Sequence, residues 1–258
     1  MGQATGGEWT IVGVDCATQE ERIGLSRGLL STDGELTVVR VTLGTAGESA
    51  AATVAGWIRA AGERHVLAMD APLGWPAPLG AALVEHHAGE PLAPEADQLF
   101  RRETDRFVHN ELGKVPLEVG ADRIARTARA ALELLAEVRE LSGQPLPMAW
   151  EPGADSGVLE VYPAATLISR GIKIGGYKAK TAAGHEARAA VFERLQEEVV
   201  TSIKRELVME NGDLLDALVC VLAGADFARG DGFPPEDRDR AEREGWIWFR
   251  GSGQRTLF

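Results

Sequence analysis

Cysteine is scarce. With two in 258 residues the fold cannot rest on a disulfide framework, and Cys16 and Cys220 both sit in apolar runs, where a thiol packs as a small hydrophobe. No run of roughly 18 apolar residues occurs, the length a membrane span needs. Met1 to Gly7 carries no basic stretch ahead of an apolar one, so neither a span nor a leader is expected and the chain reads as cytoplasmic. Positive charge is also short: 27 Lys and Arg stand against 39 Asp and Glu, a net charge of -12. Non-specific nucleic-acid affinity comes from neutralising phosphates, so a generic polyanion binder is disfavoured and any such site must be local or metal-assisted. The phosphate-loop pattern Gly-x-x-x-x-Gly-Lys-Ser/Thr, the dinucleotide pattern Gly-x-Gly-x-x-Gly and the His-x-x-x-His spacing of zinc sites are all missing.

What is present is an alternation of short apolar runs and helical periods, 45% hydrophobic overall, long enough to bury about three quarters of the unfolded surface in one domain over 1–258. Trp9 to Cys16 reads as a buried strand that ends in an acid. Arg22 to Leu30 and Leu36 to Leu43 flank Asp33-Gly34, a hairpin signal, so the first 43 residues are three antiparallel strands. Glu48 to Ala61 has helical spacing at Val54, Trp57 and Ile58, and His65 to Asp70 is another short strand ending in an acid. A crossover helix between them sets this fourth strand parallel to the first. Helices are expected at Glu95 to Leu112 and Ala121 to Leu141, within a helical insertion spanning about 76–143, then a fifth strand at Gly157 to Tyr162. His185 to Val199 and Gly212 to Phe227 read as helices, Asp231 to Glu244 as a solvated linker, and Gly245 to Phe249 as an edge strand or core clip closing a C-terminal unit at 212–250. Trp57, Trp246 and Trp248 read as core.

Asp15, Asp70, Glu160, Asp213 and Asp216 stand out because their neighbours are apolar, where an ionised carboxylate is costly unless compensated. Taken together they call for a cation, and an oxygen-only cluster selects Mg²⁺ or Mn²⁺, with a substrate phosphate completing the shell. Each also has a plainer role: Asp15 bonding loop amides, Asp70 opening a turn, Glu160 solvated on a half-exposed strand, Asp213 and Asp216 capping a helix. Arg102 and Asp105 lie in a dense charged cluster and are candidates for substrate contact or for helix ion pairs. Lys178, Lys180 and Thr181 follow Gly175-Gly176 in a loop that could reach phosphate oxygens. Arg101, Arg102, Arg123, Arg126, Lys178 and Lys180 are the candidate members of a basic patch.

Seven motifs occur in order: GVDCA (Gly13 to Ala17), MDAPLG (Met69 to Gly74), RRETDR (Arg101 to Arg106), EVYPAA (Glu160 to Ala165), KAKTAAG (Lys178 to Gly184), DLLDALVCVLAG (Asp213 to Gly224) and EGWIW (Glu244 to Trp248). They resemble a domain-of-unknown-function family described as predicted nucleases with an RNase H-like fold. The resemblance implies an α/β, RNase H-like domain with a mixed five-stranded sheet, flanked by helices and carrying the insertion after strand four. It also implies metal ligation by acids on strand one, strand four and the last helix, which match Asp15, Asp70, and Asp213 or Asp216. Glu160 belongs to the family's own pattern. The leading expectation is a divalent-metal-dependent nuclease or phosphodiesterase acting on a small or structured nucleic acid or a nucleotide. Two alternatives are a Mg-nucleotide phosphotransferase or ATPase of the actin or sugar-kinase type, and a non-catalytic interaction module with structural acids.

Overall fold

The computed structural model describes residues 8–251 apart from positions 46 and 121. The reading of Met1 to Gly7 and the start of a helix at Ala121 therefore fall outside the described residues. The elements in chain order are β1 (Trp9–Asp15), β2 (Gly24–Leu30), β3 (Leu36–Leu43), α1 (Ala50–Arg59), β4 (His65–Asp70), α2 (Ala77–Leu83), α3 (Ala96–Phe100), α4 (Glu103–Leu112) and α5 (Asp122–Ser142). They continue with β5 (Ser156–Val161), α6 (Pro163–Ile168), α7 (Ala182–Leu195), β6 (Val199–Thr201), α8 (Arg205–Glu210), α9 (Gly212–Arg229), α10 (Arg238–Glu244) and β7 (Ile247–Trp248).

Among the described residues the fold is α/β with a mixed seven-stranded sheet in the order β6-β3-β2-β1-β4-β5-β7. The pairs β1–β2 and β2–β3 are antiparallel, and β4, β5 and β7 add in parallel on the far side of β1. The expected five strands become seven because two short segments close the edges. Val199–Thr201 pairs in parallel with Leu36–Val38, and Ile247–Trp248 pairs with Glu160–Val161. The helix expected to reach Val199 stops at Leu195, and the β-branched run Val199-Val200-Thr201 covers the β3 edge instead.

Side chains alternate across β1, so its two faces feed two cores. Trp9 and Ile11 pack with α9, while Val12 and Val14 pack with Val54 and Ile58 of α1 and Leu135 and Val138 of α5. α9 is apolar around its whole circumference, and Leu214 through Phe227 are all buried, as expected of a helix lying across a sheet beneath further structure. Glycine lets it lie close. A Cβ on Gly13 would stand 2.1 Å from the Ala217 carbonyl oxygen, and one on Gly24 would stand 2.1 Å from the Asp213 carbonyl oxygen.

Two further expectations need correction. The single helix expected over Glu95 to Leu112 is broken at Arg101–Arg102, where the backbone is extended and the Asp105 carboxylate accepts a hydrogen bond from the Arg102 N–H at 2.9 Å. The expected linker Asp231 to Glu244 contains α10, whose Glu244 is fully buried. Its carboxylate accepts from the N–H of Ala77 at 3.0 Å and of Glu103 at 2.7 Å, tying two helix starts of the insertion to the C-terminal region. Trp246 and Trp248 are core residues and Trp57 packs partly buried against the second core. No helix among the described residues is long and apolar enough to cross a membrane.

Gly13→Ala is expected to force α9 off β1, because the clash is with backbone that no rotamer change relieves. Overpacking of this kind costs about 3 kcal/mol or more, a fall of about 10 °C in thermal midpoint. Thermal denaturation checks it, and an unchanged midpoint contradicts the close-approach argument.

Candidate functional site

β1 and β4 are parallel neighbours, and their register sets Asp15 directly beside Asp70 at the carboxyl ends of both strands. This is the edge where open α/β sheets place ligands. The glycine contacts bring the second turn of α9 over the same edge and deliver Asp216, which is 2% exposed. One carboxylate oxygen from each of Asp15, Asp70 and Asp216 lies within 4.8 Å of the others.

Three carboxylates so close repel one another and have lost water. Burial pushes the Asp15 carboxyl well up, and the charges of Asp70 and Asp216 push it further. Asp70 is raised to about 7, first by burial and then by Asp216, with Lys178 opposing. Burial raises Asp216 too, held back by Lys178 and by the Tyr177 hydroxyl. The contacts are direct: the Lys178 ammonium stands 2.6 Å from Asp216 Oδ2, and the Tyr177 hydroxyl donates to Oδ1 at 3.0 Å.

Tyr177 and Lys178 belong to a loop that needs its own anchor. Arg188 of α7, 3% exposed, provides it. Its Nη1 donates to the carbonyls of Tyr177 at 2.6 Å and Ala179 at 3.0 Å, and its Nε to Met209 at 2.6 Å. Sequence reasoning passed over Tyr177 and Arg188. Tyr177 adjoins the Gly-Gly-x-Lys loop and was findable there, whereas nothing local marks Arg188 as different from a surface helix arginine.

The other expected residues are placed differently. Asp213, in the first turn of α9, lies outside the triad with its Oδ1 3.5 Å from Arg22 Nη2. The helix cap is Asn211, whose side chain accepts from the N–H groups of Asp213 and Leu214. Glu160 is buried one step behind Asp70, since the register pairs it with Met69. Its carboxylate accepts from Arg102 Nη2 at 2.7 Å, from Nη1 at 2.9 Å and from the Leu73 N–H at 2.9 Å. Arg102 also bonds Asp105 through Nη2 at 2.9 Å and the Glu244 carbonyl through Nη1 at 3.0 Å. Arg102 and Asp105 are thus a buried ion-pair network holding α4 and α10 to β5. Thr181 caps α7 by accepting from the Gly184 N–H at 3.2 Å. Lys180 lines the cavity over the acids, a space of about 740 Å³ whose wall also carries Arg123, Leu117 and Tyr162.

Two measurements separate these roles. Glu160→Gln is expected to destabilise the fold by about 3–5 kcal/mol, the effect of leaving a buried guanidinium short of its partner, while the folded fraction retains Mn²⁺ binding. Loss of Mn²⁺ binding at unchanged stability contradicts that assignment. The acid triad sets a pH dependence of the opposite sign to ordinary carboxylates. From about pH 4, where an unfolded Asp releases its proton, to about 7, the value for Asp70, the folded state holds protons that the unfolded chain has lost. Stability in EDTA therefore falls as pH rises through that window. Asp70→Asn removes one of those protons and flattens the fall; identical pH profiles for wild type and variant rule out the triad as its source.

Comparison with the curated proteins and with the solved structures returned no match. A family model described as "Protein of unknown function (DUF429)" matches residues 13–240, a span that starts at Gly13 and takes in all three triad acids. With nearly the whole chain matched, the protein belongs to the DUF429 family.

Proposed function

We propose that the protein is an RNase H-like, divalent-metal-dependent phosphodiesterase or nuclease, with Mg²⁺ or Mn²⁺ held by Asp15, Asp70 and Asp216. The observation that carries this reading is the convergence of those three carboxylates, with oxygens within 4.8 Å, on the carboxyl edge of parallel strands. The RNase H-like assignment draws support from the antiparallel β3-β2-β1 ribbon continued by parallel β4 and β5, with acids ending β1 and β4 and a third on α9. The donor set fits the ion: hard oxygen ligands only, desolvated and mutually repelling, so a cation relieves what burial imposes. When bound, such an ion supplies neutralising charge at a phosphoryl group and acidity to a nucleophilic water.

The chain's own groups do the rest. Asp15 and Asp70, side by side on adjacent strands, would hold the ion together with Asp216. Tyr177 fixes the orientation of the Asp216 carboxylate by donating to Oδ1, and Lys178 keeps a proton on Nζ beside Oδ2, holding a positive charge where a phosphate approaches. Arg188 positions both through the loop carbonyls. Glu160, Arg102 and Asp105 hold the wall beneath Asp70 and are not assigned contact with substrate.

The test is titration calorimetry of Mn²⁺ into wild type, Asp15→Asn and Asp70→Asn, followed by incubation with labelled oligonucleotides. Losing an outer-shell partner alone weakens metal sites roughly 10–100-fold, so either ligand variant is expected to lose about 100-fold or more in affinity, with cleavage lost in parallel. Metal binding that survives both substitutions sinks the reading. Nucleotide transfer without phosphodiester cleavage points to the phosphotransferase alternative, and wild type that binds no Mn²⁺ leaves an interaction module with structural acids.

A further inference from the structure

The cavity above the acids holds cations of two kinds. Arg102 is committed to Asp105 and Glu160, Arg188 to three backbone carbonyls, and Lys178 to Asp216. Arg123 and Lys180 line the same cavity, and among the described residues neither side chain has an ion pair or a hydrogen bond. Arg22 is nearly as free: among the described residues its only acid partner is Asp213 at 3.5 Å, and its side chain is 53% exposed. An anion that enters to meet the triad therefore finds uncommitted positive charge beside it.

The remaining wall is apolar. Leu117, 68% exposed, lines the cavity with Pro116 and Ile124 of the insertion, and Tyr162 contributes an aromatic ring. Exposed apolar surface facing a set of carboxylates does not serve a free metal site, but it suits the flat face of a base beside its own phosphate. Size narrows the choice. A space of about 740 Å³ is that of a small-ligand pocket, and a duplex must unstack and unpair a nucleotide to seat a base in one beside its phosphodiester. The net charge of -12 acts in the same direction, because every phosphate held outside this local cationic set meets a repelling surface.

We propose that the cavity takes an unpaired strand of nucleic acid, with Arg22, Arg123 and Lys180 holding phosphates that flank the one at the triad, and Leu117, Ile124 and Tyr162 receiving a base. The inference rests on the phosphodiesterase reading for the central phosphate, while the flanking contacts are separate residues and are tested separately.

The experiment measures fluorescence anisotropy of a labelled ten-nucleotide single strand and of its duplex, with Ca²⁺ in place of Mn²⁺ to hold off cleavage, over a salt series. The single strand is expected to bind about tenfold tighter or more, since only the duplex must be unpaired. Its log K is expected to fall with log salt at a slope of about -2 or steeper, the three flanking phosphate contacts contributing about 0.7 each on single strands. Arg123→Ala and Lys180→Ala each reduce that slope by about 0.7, leave the thermal midpoint unchanged and leave Mn²⁺ titration as in wild type. Duplex binding equal to or tighter than single-strand binding overturns the proposal, as does an unchanged slope in both variants. Wild type that binds Mn²⁺ but no oligonucleotide overturns this inference and spares the metal reading. Oligonucleotide binding with no Mn²⁺ binding does the reverse.

Discussion

Desolvated like charges repel, and the Asp15–Asp70–Asp216 triad persists only because backbone on three sides prevents it from relaxing. Two of the acids share a register between parallel strands, so neither moves without breaking the sheet. The third is carried by a helix whose distance from β1 and β2 is fixed by glycine, and whose neighbours are all core. Burial raises all three carboxyls, which means the fold carries an electrostatic cost that a cation would offset. A structural acid is ordinarily given a cation of its own. Asp226, at the far end of α9, is also raised by burial, but its carboxylate is paired with the buried Arg170 side chain at 2.6 Å, which opposes that shift.

Among the described residues Lys178 is the one cation paired with a triad acid, and its side chain is 59% exposed. It therefore moderates the repulsion without filling the cluster. The buried Arg102 network does the opposite: its guanidinium is matched by Asp105, Glu160 and a carbonyl, and it is closed to solvent. Two acid-rich groups within one cavity thus have different physics. Glu160 is satisfied by its partner and has a structural role, whereas the triad is under-compensated and is open to the cavity.

Much of the site is legible in the sequence. Asp15 and Asp70 announce themselves because an acid closing a short β-branched run at a sheet edge has no apolar partner. The parallel relation between their strands follows from the crossover helix. Choosing between Asp213 and Asp216 was not possible, since both lie near one helical face and the deciding fact is where Ala217 meets Gly13, a contact between distant parts of the chain. Arg102 and Asp105 form the helix ion pair that is one of their two readings, but their burial is not legible, because only the long-range partners Glu160 and Glu244 close the network from solvent. The two extra strands are too short to carry a periodic signal, and Val199–Thr201 becomes a strand only because β3 offers it an open edge. Local pattern fixes which residues seek burial, and non-local pairing decides which polar residues are buried with them.

The acidity of the chain and an anionic substrate are compatible once the scale of each is separated. Net charge acts over roughly a Debye length of about 8 Å at physiological salt, so it governs the approach of extended polyanions to the whole surface. Inside the cavity the relevant charges are fewer and closer: the cation proposed for the triad, Lys178 beside it, and the uncommitted Arg123 and Lys180 in the wall. A substrate small enough to be counted in single phosphates meets the local set before the global one matters. On the proposed reading, an acidic surface around a basic-walled, acid-floored pocket would work as a filter, excluding long backbones by field and admitting short or unpaired ones by contact. That selectivity would follow from the placement of the charges and would require no base-specific contact at all.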